Sequence, residues 1–195
     1  MRAALLIAAG ALVACSSPDR CAAGDPAQPL EMRVVVFGAD VAPAVIGDGA
    51  RVALMKPPQG GRVIYAGAEV RGGDICNPVN LVGALRDPTT HAVFGLEGRP
   101  VLLAARSDGW VAADEVQPSN YANIAVCPNQ RSSRDIDEEP YELYVKLTDG
   151  VGRSAEGVVD VVPFCAEPDT FDECTCICKT GYVLGQSCGA PDGGM

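Results

Sequence analysis

The 195-residue sequence has little of what most hydrolytic sites need. It contains one histidine, His91, beside a turn in the segment DPTTHAV, and no serine stands in a G-x-S-x-G turn. A Ser-His-Asp set would have to use His91 as its general base. Hydrolysis is therefore the weakest hypothesis, and we predict no enzyme activity, no catalytic residue and no cofactor.

Long apolar runs are also scarce. The longest covers only residues 3–14, and a helix that crosses a bilayer needs about 20 apolar residues. A short positive start with Arg2, an apolar run of this length and small residues at its end are typical of a cleaved export signal. The sequence therefore predicts a signal peptide over residues 1–14.

The end of this run carries a more specific pattern. Leu12, Val13, Ala14 and Cys15 resemble the lipobox of bacterial lipoprotein precursors. The resemblance implies that Cys15 is acylated and becomes the new N-terminus, so that lipid attaches the chain to a membrane of the bacterial cell envelope. Ser16 follows where the inner-membrane retention signal of this family usually shows Asp, which favours the outer membrane. We expect envelope proteins as partners.

Positive charge is in short supply. The chain has 15 lysines and arginines against 25 acidic residues, a net charge of −10. Such a chain repels the phosphate backbone of nucleic acids, so we expect no nucleic-acid partner.

Amphipathic helices are missing, because no segment of eleven or more residues repeats its apolar positions at helical spacing. Ten short apolar or alternating runs recur instead between turn signals, 8 to 12 residues apart, which is typical of an all-β sandwich or barrel. The runs are 31–37, 51–55, 62–70, 80–87, 91–98, 100–106, 109–114, 123–127, 141–148 and 156–162.

The closing pair of runs narrows the fold class. Residues 141–148 alternate strictly, with Tyr141, Leu143, Val145 and Leu147 on one face, and a Gly-containing turn leads into the last run. This pair resembles the last two strands of bacterial immunoglobulin-like domains. The resemblance implies an immunoglobulin-like antiparallel β-sandwich, without the core tryptophan of antibody domains, since Trp110 lies too far beyond the first cysteine of the domain.

Composition divides the mature chain into three parts. Residues 15–29 are rich in Pro, Ala, Asp and Ser and are expected to form a lipidated tether. Residues 30–164 are expected to form the sandwich. Residues 165–195 form a Cys-rich segment, which is called the tail below.

Beyond the lipidated Cys15, eight cysteines remain, and an even number in an exported chain predicts up to four disulfides. Sequence alone leaves 105 connectivities open for eight cysteines. Cys76 and Cys127 are the two in the middle of the sandwich, so we expect them to pair. The candidates are Cys21, Cys76, Cys127, Cys165, Cys174, Cys176, Cys178 and Cys188.

The tail carries a second resemblance. Cys176-x-Cys178, followed by Gly181, Tyr182 and a final Cys188, is similar to the second half of an EGF-like module. The resemblance implies a Cys178–Cys188 bond, a tight turn at Gly181 and a Tyr182 ring that covers this disulfide.

Metal binding is the alternative function. Cys174, Cys176 and Cys178 have a spacing that soft metals such as zinc or copper(I) accept. The acidic run 134–139 offers oxygen ligands for calcium. Its candidate ligands are Asp135, Asp137 and Glu139.

The leading hypothesis is a lipid-anchored, non-enzymatic envelope protein that acts as a structural or protein-interaction module. The edges and end loops of the sandwich are expected to supply its contact surface.

Overall fold

The computed structural model describes residues 21–22, 28–38, 42–72, 75–76, 78–113 and 116–188. Short strands dominate this part of the chain. The strands are β1 (Cys21–Ala22), β2 (Glu31–Phe37), β3 (Pro43–Val45), β4 (Ala50–Leu54), β5 (Arg62–Arg71), β6 (Ile75–Cys76), β7 (Val79–Arg86), β8 (Val93–Val101), β9 (Leu103–Ala105), β10 (Val111–Ala113), β11 (Ala122–Cys127), β12 (Tyr141–Thr148) and β13 (Ser154–Cys165). The helices are two 3₁₀ turns, Pro118–Asn120 and Pro168–Thr170, and α1 (Phe171–Cys178).

The strands form the two packed sheets of a β-sandwich. The first sheet has the order β4-β13-β12-β7-β8, and all its neighbours are antiparallel except β4 and β13. The second has the order β3-β2-β5-β10-β9, with β11 also paired to β5. The two-residue strands β1 and β6 form a separate pair. The predicted all-β fold class is confirmed.

Alternation of side chains explains why the runs become strands. On β12, the side chains of Tyr141, Leu143, Val145 and Leu147 are fully buried between the sheets, as the sequence predicts. Each of the ten predicted runs overlaps a strand. The interior includes side chains from the tail as well as from both sheets, so the sandwich and the tail share one core.

Tyr141, the first residue of β12, fixes the loop that precedes this strand. Its ring is fully buried, and its hydroxyl donates to the carbonyl oxygen of Asp135 at 2.9 Å and lies 2.7 Å from the Ser132 hydroxyl. A tyrosine at this position that bonds back to the preceding loop is the tyrosine corner of immunoglobulin-like sandwiches. The loop 128–140 is thereby held against the end of the first sheet.

Two glycines let the sheets approach each other at one side. A Cβ on Gly95 of β8 would lie 2.5 Å from the carbonyl oxygen of Ala125 on β11, and a Cβ on Gly83 would lie 2.8 Å from the side chain of Ile124. Only a residue without a side chain fits such an approach.

Charged side chains protect the exposed edge of β8. Glu97 and Arg99 form an ion pair of 2.8 Å, and Glu97 accepts a hydrogen bond from the main-chain nitrogen of Asn123 on β11. Charged residues that point inward on an edge strand discourage pairing with another chain. We therefore do not assign a strand-docking role to this edge.

Candidate functional site: the tail end of the sandwich

The two ends of the sandwich differ in what they carry. Strand β5 runs from Arg62, paired with Cys127, to Arg71, paired with Glu31. Ten residues at about 3.3 Å each separate the two ends by roughly 30 Å. The end with Arg71, β1, β6 and the β12–β13 turn is called the base. The end with α1 and the loops 128–140 and 179–188 is called the tail end.

Helix α1 closes the tail end and is bonded to both sheets. Cys178 forms a disulfide with Cys127, the last residue of β11, and Cys174 forms one with Cys165, the last residue of β13. Cys174, Ile177 and Cys178 are buried on the side of the helix that faces the core. Closing a chain loop by a disulfide typically stabilises a domain by about 2 to 4 kcal/mol.

These bonds correct two predicted pairings. The Cys76–Cys127 pair is wrong, because Cys127 lies at the tail end and bonds to Cys178. The Cys178–Cys188 pair implied by the EGF-like resemblance is also wrong, because Cys188 bonds to Cys176.

Cys76 is disulfide-bonded as well and belongs to the base. In the register of β1 and β6 it lies opposite Cys21. The cysteine bonds therefore occur at both ends of the molecule, and three of them hold the tail.

Polar contacts add to the attachment of α1. The guanidinium of Arg62, fully buried on β5, donates to the carbonyl oxygens of Gly61 at 2.9 Å and Thr170 at 3.0 Å. Lys56 Nζ lies 2.5 Å from Glu173 Oε2 on the first turn of α1. The Lys56 hydrogen bond lowers the pKa of Glu173. Both cations come from the second sheet or its preceding loop and bind the beginning of the helical segment.

The loop 179–188 projects an apolar tip from this end. The Cys176–Cys188 disulfide closes it, and a turn runs from Val183 to Gln186, whose main-chain nitrogen donates to the Val183 carbonyl at 2.9 Å. Gly185 in this turn has a φ of 86°, which favours glycine. Val183 and Leu184 are 67% and 66% exposed.

A depression of about 250 Å³ lies beside this tip and is lined by Lys179, Gly181, Tyr182 and their neighbours. The predicted turn at Gly181 is present, with a φ of 75°. Loops positioned by a rigid scaffold commonly carry binding residues, and Val183 and Leu184 are adjacent exposed apolar side chains on such a loop.

The acidic run does not gather its carboxylates at one point. Asp135 accepts a hydrogen bond from the main-chain nitrogen of Thr180 in the tail, and Asp137 accepts one from the main-chain nitrogen of Cys165. Glu138 forms an ion pair with Arg51. Burial raises the pKa of Asp137, although the hydrogen bond from Cys165 opposes this effect. The run holds the loop 128–140, the tail and β13 together.

Sulfur atoms, in contrast, do gather. In the described part of the chain, the side-chain atoms of Cys165, Cys174 and Cys178 form the one group of three potential metal ligands within 4.8 Å of one another. All three are in disulfides, and metals bind the thiolate form of cysteine. Cys176, also proposed as a ligand, is bonded to Cys188.

His91 lies on the turn between β7 and β8, at the tail end. Its ring is 63% exposed, and its Nδ1 lies 3.2 Å from Glu142 Oε2. Glu142 also receives a hydrogen bond from Arg86 at 3.3 Å. The backbone of His91 has a positive φ of 55° and donates to the Asp87 carbonyl. The contacts of His91 thus belong to a turn on the outer face of the first sheet.

The predicted signal peptide, the predicted lipidation site Cys15 and most of the predicted tether lie outside the described residues. None of the helices that the structure describes has the length and apolar character needed to cross a membrane.

Comparison with known proteins returned nothing. No family model matches the sequence, and neither a curated protein nor a solved structure matches it.

Sequence reasoning missed the roles of Arg62, Asp87 and Arg134 at this end. Arg62 is the first residue of a β-run and is expected to be an ordinary surface arginine, yet it is fully buried beneath the tail. Asp87 accepts from the main-chain nitrogens of Thr89 and Thr90 and pairs with Arg134 at 2.5 Å, which joins two loops. Asp87-Pro88 is a turn signal that could have indicated part of this role.

Proposed function

We propose that this chain is a lipid-anchored, non-enzymatic protein of the bacterial cell envelope whose tail end is a protein-interaction surface. The observation that carries this proposal is the separation of the two ends. The predicted anchor, Cys15, precedes β1 and β2 in the sequence, and β1 and the start of β2 belong to the base, where Pro29 lies against Gly72. The apolar tip at Val183 lies at the opposite end of β5, away from the membrane that the anchor would occupy.

The oxidised cysteines support the compartment in this proposal. Disulfides persist in exported proteins and are rare in reducing compartments. The lipobox-like residues Leu12–Cys15 support the anchor, and Ser16 supports the outer membrane as its location.

Anchoring is tested first, in a bacterium that exports and acylates lipoproteins. We expect the wild-type chain to fractionate with membranes and to have the mass of a chain cleaved before Cys15 and acylated. The Cys15→Ala variant should lose the acyl mass and leave the membrane fraction. A wild-type chain that keeps residues 1–14 and carries no lipid would contradict the proposal.

Thiol titration of the exported protein separates this proposal from the metal-binding alternative. We expect the eight cysteines other than Cys15 to be unreactive towards an alkylating agent before reduction. Several free thiols with stoichiometric zinc would favour the alternative instead.

The interaction surface is tested by cross-linking in envelope extracts. The Val183→Asp/Leu184→Asp variant changes the tip, and Val151→Asp changes an equally exposed valine (67%) on the β12–β13 turn at the base. We expect cross-linked products of the wild type to be lost with the tip variant and kept with Val151→Asp. Equal loss or equal retention in both variants would contradict a role for the tail end.

A further inference from the structure

Two of the disulfides that hold the tail lie against each other. The Sγ atoms of Cys165, Cys174 and Cys178 are all within 4.8 Å of one another, and Cys178 is bonded to Cys127. The Cys165–Cys174 and Cys127–Cys178 bonds therefore form one buried cluster of four sulfurs at the junction of α1, β11 and β13.

Helix geometry explains why two cysteines of α1 face the same partner. Residues four apart on an α-helix lie on the same face, one turn apart along the axis, whereas residues two apart point to nearly opposite sides. Cys174 and Cys178 are four apart and both buried. Cys176 lies between them, is half-buried, and bonds to Cys188 outside the cluster.

We propose that Cys165 forms a disulfide with either Cys174 or Cys178, so that the bond holding the tail to β13 is interchangeable. Cys178 is then the residue whose thiolate attacks the neighbouring disulfide. Its thiol becomes available when the Cys127–Cys178 bond opens, and a sulfur of the neighbouring disulfide is already close to it. Exchange between a thiolate and a disulfide needs this proximity and no external oxidant.

The exchange is balanced in atoms and electrons. A dithiol first reduces the Cys127–Cys178 bond, giving two protein thiols, while the dithiol becomes a disulfide. The Cys178 thiolate then attacks Sγ of Cys165, the Cys165–Cys174 bond breaks, and Cys174 leaves as a thiolate that takes up a proton. One S–S bond forms and one breaks. The tail stays bonded to β13 but is released from β11.

This property is independent of the lipid anchor and of the proposed contact surface. Opening of the Cys127–Cys178 bond releases the tail from β11, and the Cys165–Cys174 bond keeps it attached to β13. The exchange then moves this attachment from Cys174 to Cys178, one turn further along α1.

The decisive test uses the exported chain with the Cys127→Ser/Cys174→Ser substitutions, oxidised with glutathione disulfide. We expect peptide mapping to find Cys165 linked to Cys178, with two protein thiols oxidised and one glutathione disulfide reduced to two glutathiones. Free, alkylatable thiols at both Cys165 and Cys178 in the folded variant would overturn the proposal. Fluorescence of Trp110, at the base, reports whether the sandwich is folded.

A single substitution gives a second test if the double variant does not fold. Cys174→Ser leaves Cys165 as a thiol beside the Cys127–Cys178 bond. We expect the free thiol to be shared between Cys165 and Cys127, because attack of Cys165 on Cys178 releases Cys127. A free thiol confined to Cys165 after prolonged incubation at mildly alkaline pH would overturn the proposal.

The matched control is Cys176→Ser, which frees a thiol at Cys188 outside the cluster. We expect both clustered bonds to remain as in the wild type and the free thiol to stay on Cys188. Scrambling of the cluster in this variant would show that exchange does not depend on the proximity of these sulfurs, and would also overturn the proposal.

Discussion

The guanidinium of Arg62 and the main-chain carbonyl of Thr170 are joined by a hydrogen bond of 3.0 Å beneath the tail. This contact links β5 to the segment that leads into α1, which the disulfides reach only further along the chain. Among the described residues, Nε of Arg62 has no hydrogen-bond partner, and the nearest carboxylate, Glu173, lies 3.5 Å from Nη2.

Replacing Arg62 by methionine tests how much this contact stabilises the fold. Two carbonyl oxygens lose their donor, but a buried charge with an imperfect partner is also removed, so the effects oppose each other. We expect Arg62→Met to lower the free energy of unfolding by about 1 to 2 kcal/mol. Arg62→Ala should cost about 2 kcal/mol more because it leaves a cavity.

Urea unfolding measures both Arg62 variants. An equal decrease in the free energy of unfolding for Arg62→Met and Arg62→Ala would contradict the expected contribution of side-chain volume.

The tyrosine corner makes a second prediction. Tyr141→Phe removes the hydroxyl that bonds the Asp135 carbonyl and Ser132, and leaves these polar groups buried without it. We expect a loss of about 1 to 3 kcal/mol in the free energy of unfolding. The control is Tyr144→Phe on the same strand, whose hydroxyl bonds the exposed Glu156 and should cost less than about 0.5 kcal/mol. Similar losses in the two variants would contradict the special role of Tyr141.

The close approach of β8 to β11 gives a third prediction. In Gly95→Ala the new Cβ would meet a main-chain oxygen at 2.5 Å, and strands cannot move apart without loss of packing. We expect destabilisation by about 1 to 3 kcal/mol. In Gly98→Ala on the same strand, the new Cβ meets a methyl group of Val82 at 3.3 Å and the Leu81 carbonyl oxygen at 3.8 Å, so the loss should be much smaller than in Gly95→Ala. Thermal unfolding compares the two variants. Equal unfolding midpoints would contradict the expected clash between β8 and β11.

The pH dependence of stability is predicted from two aspartates with opposite pKa shifts. Hydrogen bonds from the main-chain nitrogen of Thr90 and from Arg134 lower the pKa of Asp87 below its usual value near 3.8. A lowered pKa means that Asp87 contributes stability above the unfolded value, and that this contribution is lost as the pH falls below about 4. Burial raises the pKa of Asp137, so its contribution has the opposite sign and declines as the pH rises.

Denaturant unfolding between pH 2 and pH 6 measures both effects. We expect Asp87→Asn to flatten the loss of stability below pH 4, and Asp137→Asn to leave that loss in place. A wild-type slope in the Asp87→Asn variant would show that other carboxylates are responsible for the acid dependence.

The strands were predictable because a period of two residues is visible in a sequence. The alternation from Tyr141 to Leu147 and the uninterrupted apolar run at Val34, Val35 and Val36 each identify a strand without further information. The all-β class follows from the sum of such runs and from the lack of helical spacing.

Helix α1 was not predictable in the same way. Its eight residues, Phe171–Cys178, include threonine and three cysteines, which are mediocre helix formers, and the segment is too short to show a helical stripe. Disulfides at Cys174 and Cys178 hold it in place. These tertiary bonds override the local preference.

Disulfide pairing failed for a related reason. Cys76 and Cys127 are consecutive cysteines in the sequence. In the structure, however, β6 belongs to the base, whereas the end of β11 belongs to the tail end. Which cysteines meet depends on where each strand ends, and single-sequence patterns do not locate strand ends in space. The acidic run was misleading because Asp135 and Asp137 accept main-chain hydrogen bonds in different directions.

The attachment of α1 to both sheets also determines how the molecule would carry a mechanical pull. A force between the loop tip and β1 would enter β13 through Cys165 and β11 through Cys127, so the two layers would share it. The pull would run along the strands, and β5 lies between β11, held by Cys127, and β2, so that its hydrogen bonds to both would be loaded together. Such a geometry would resist extension of the sandwich between its two ends.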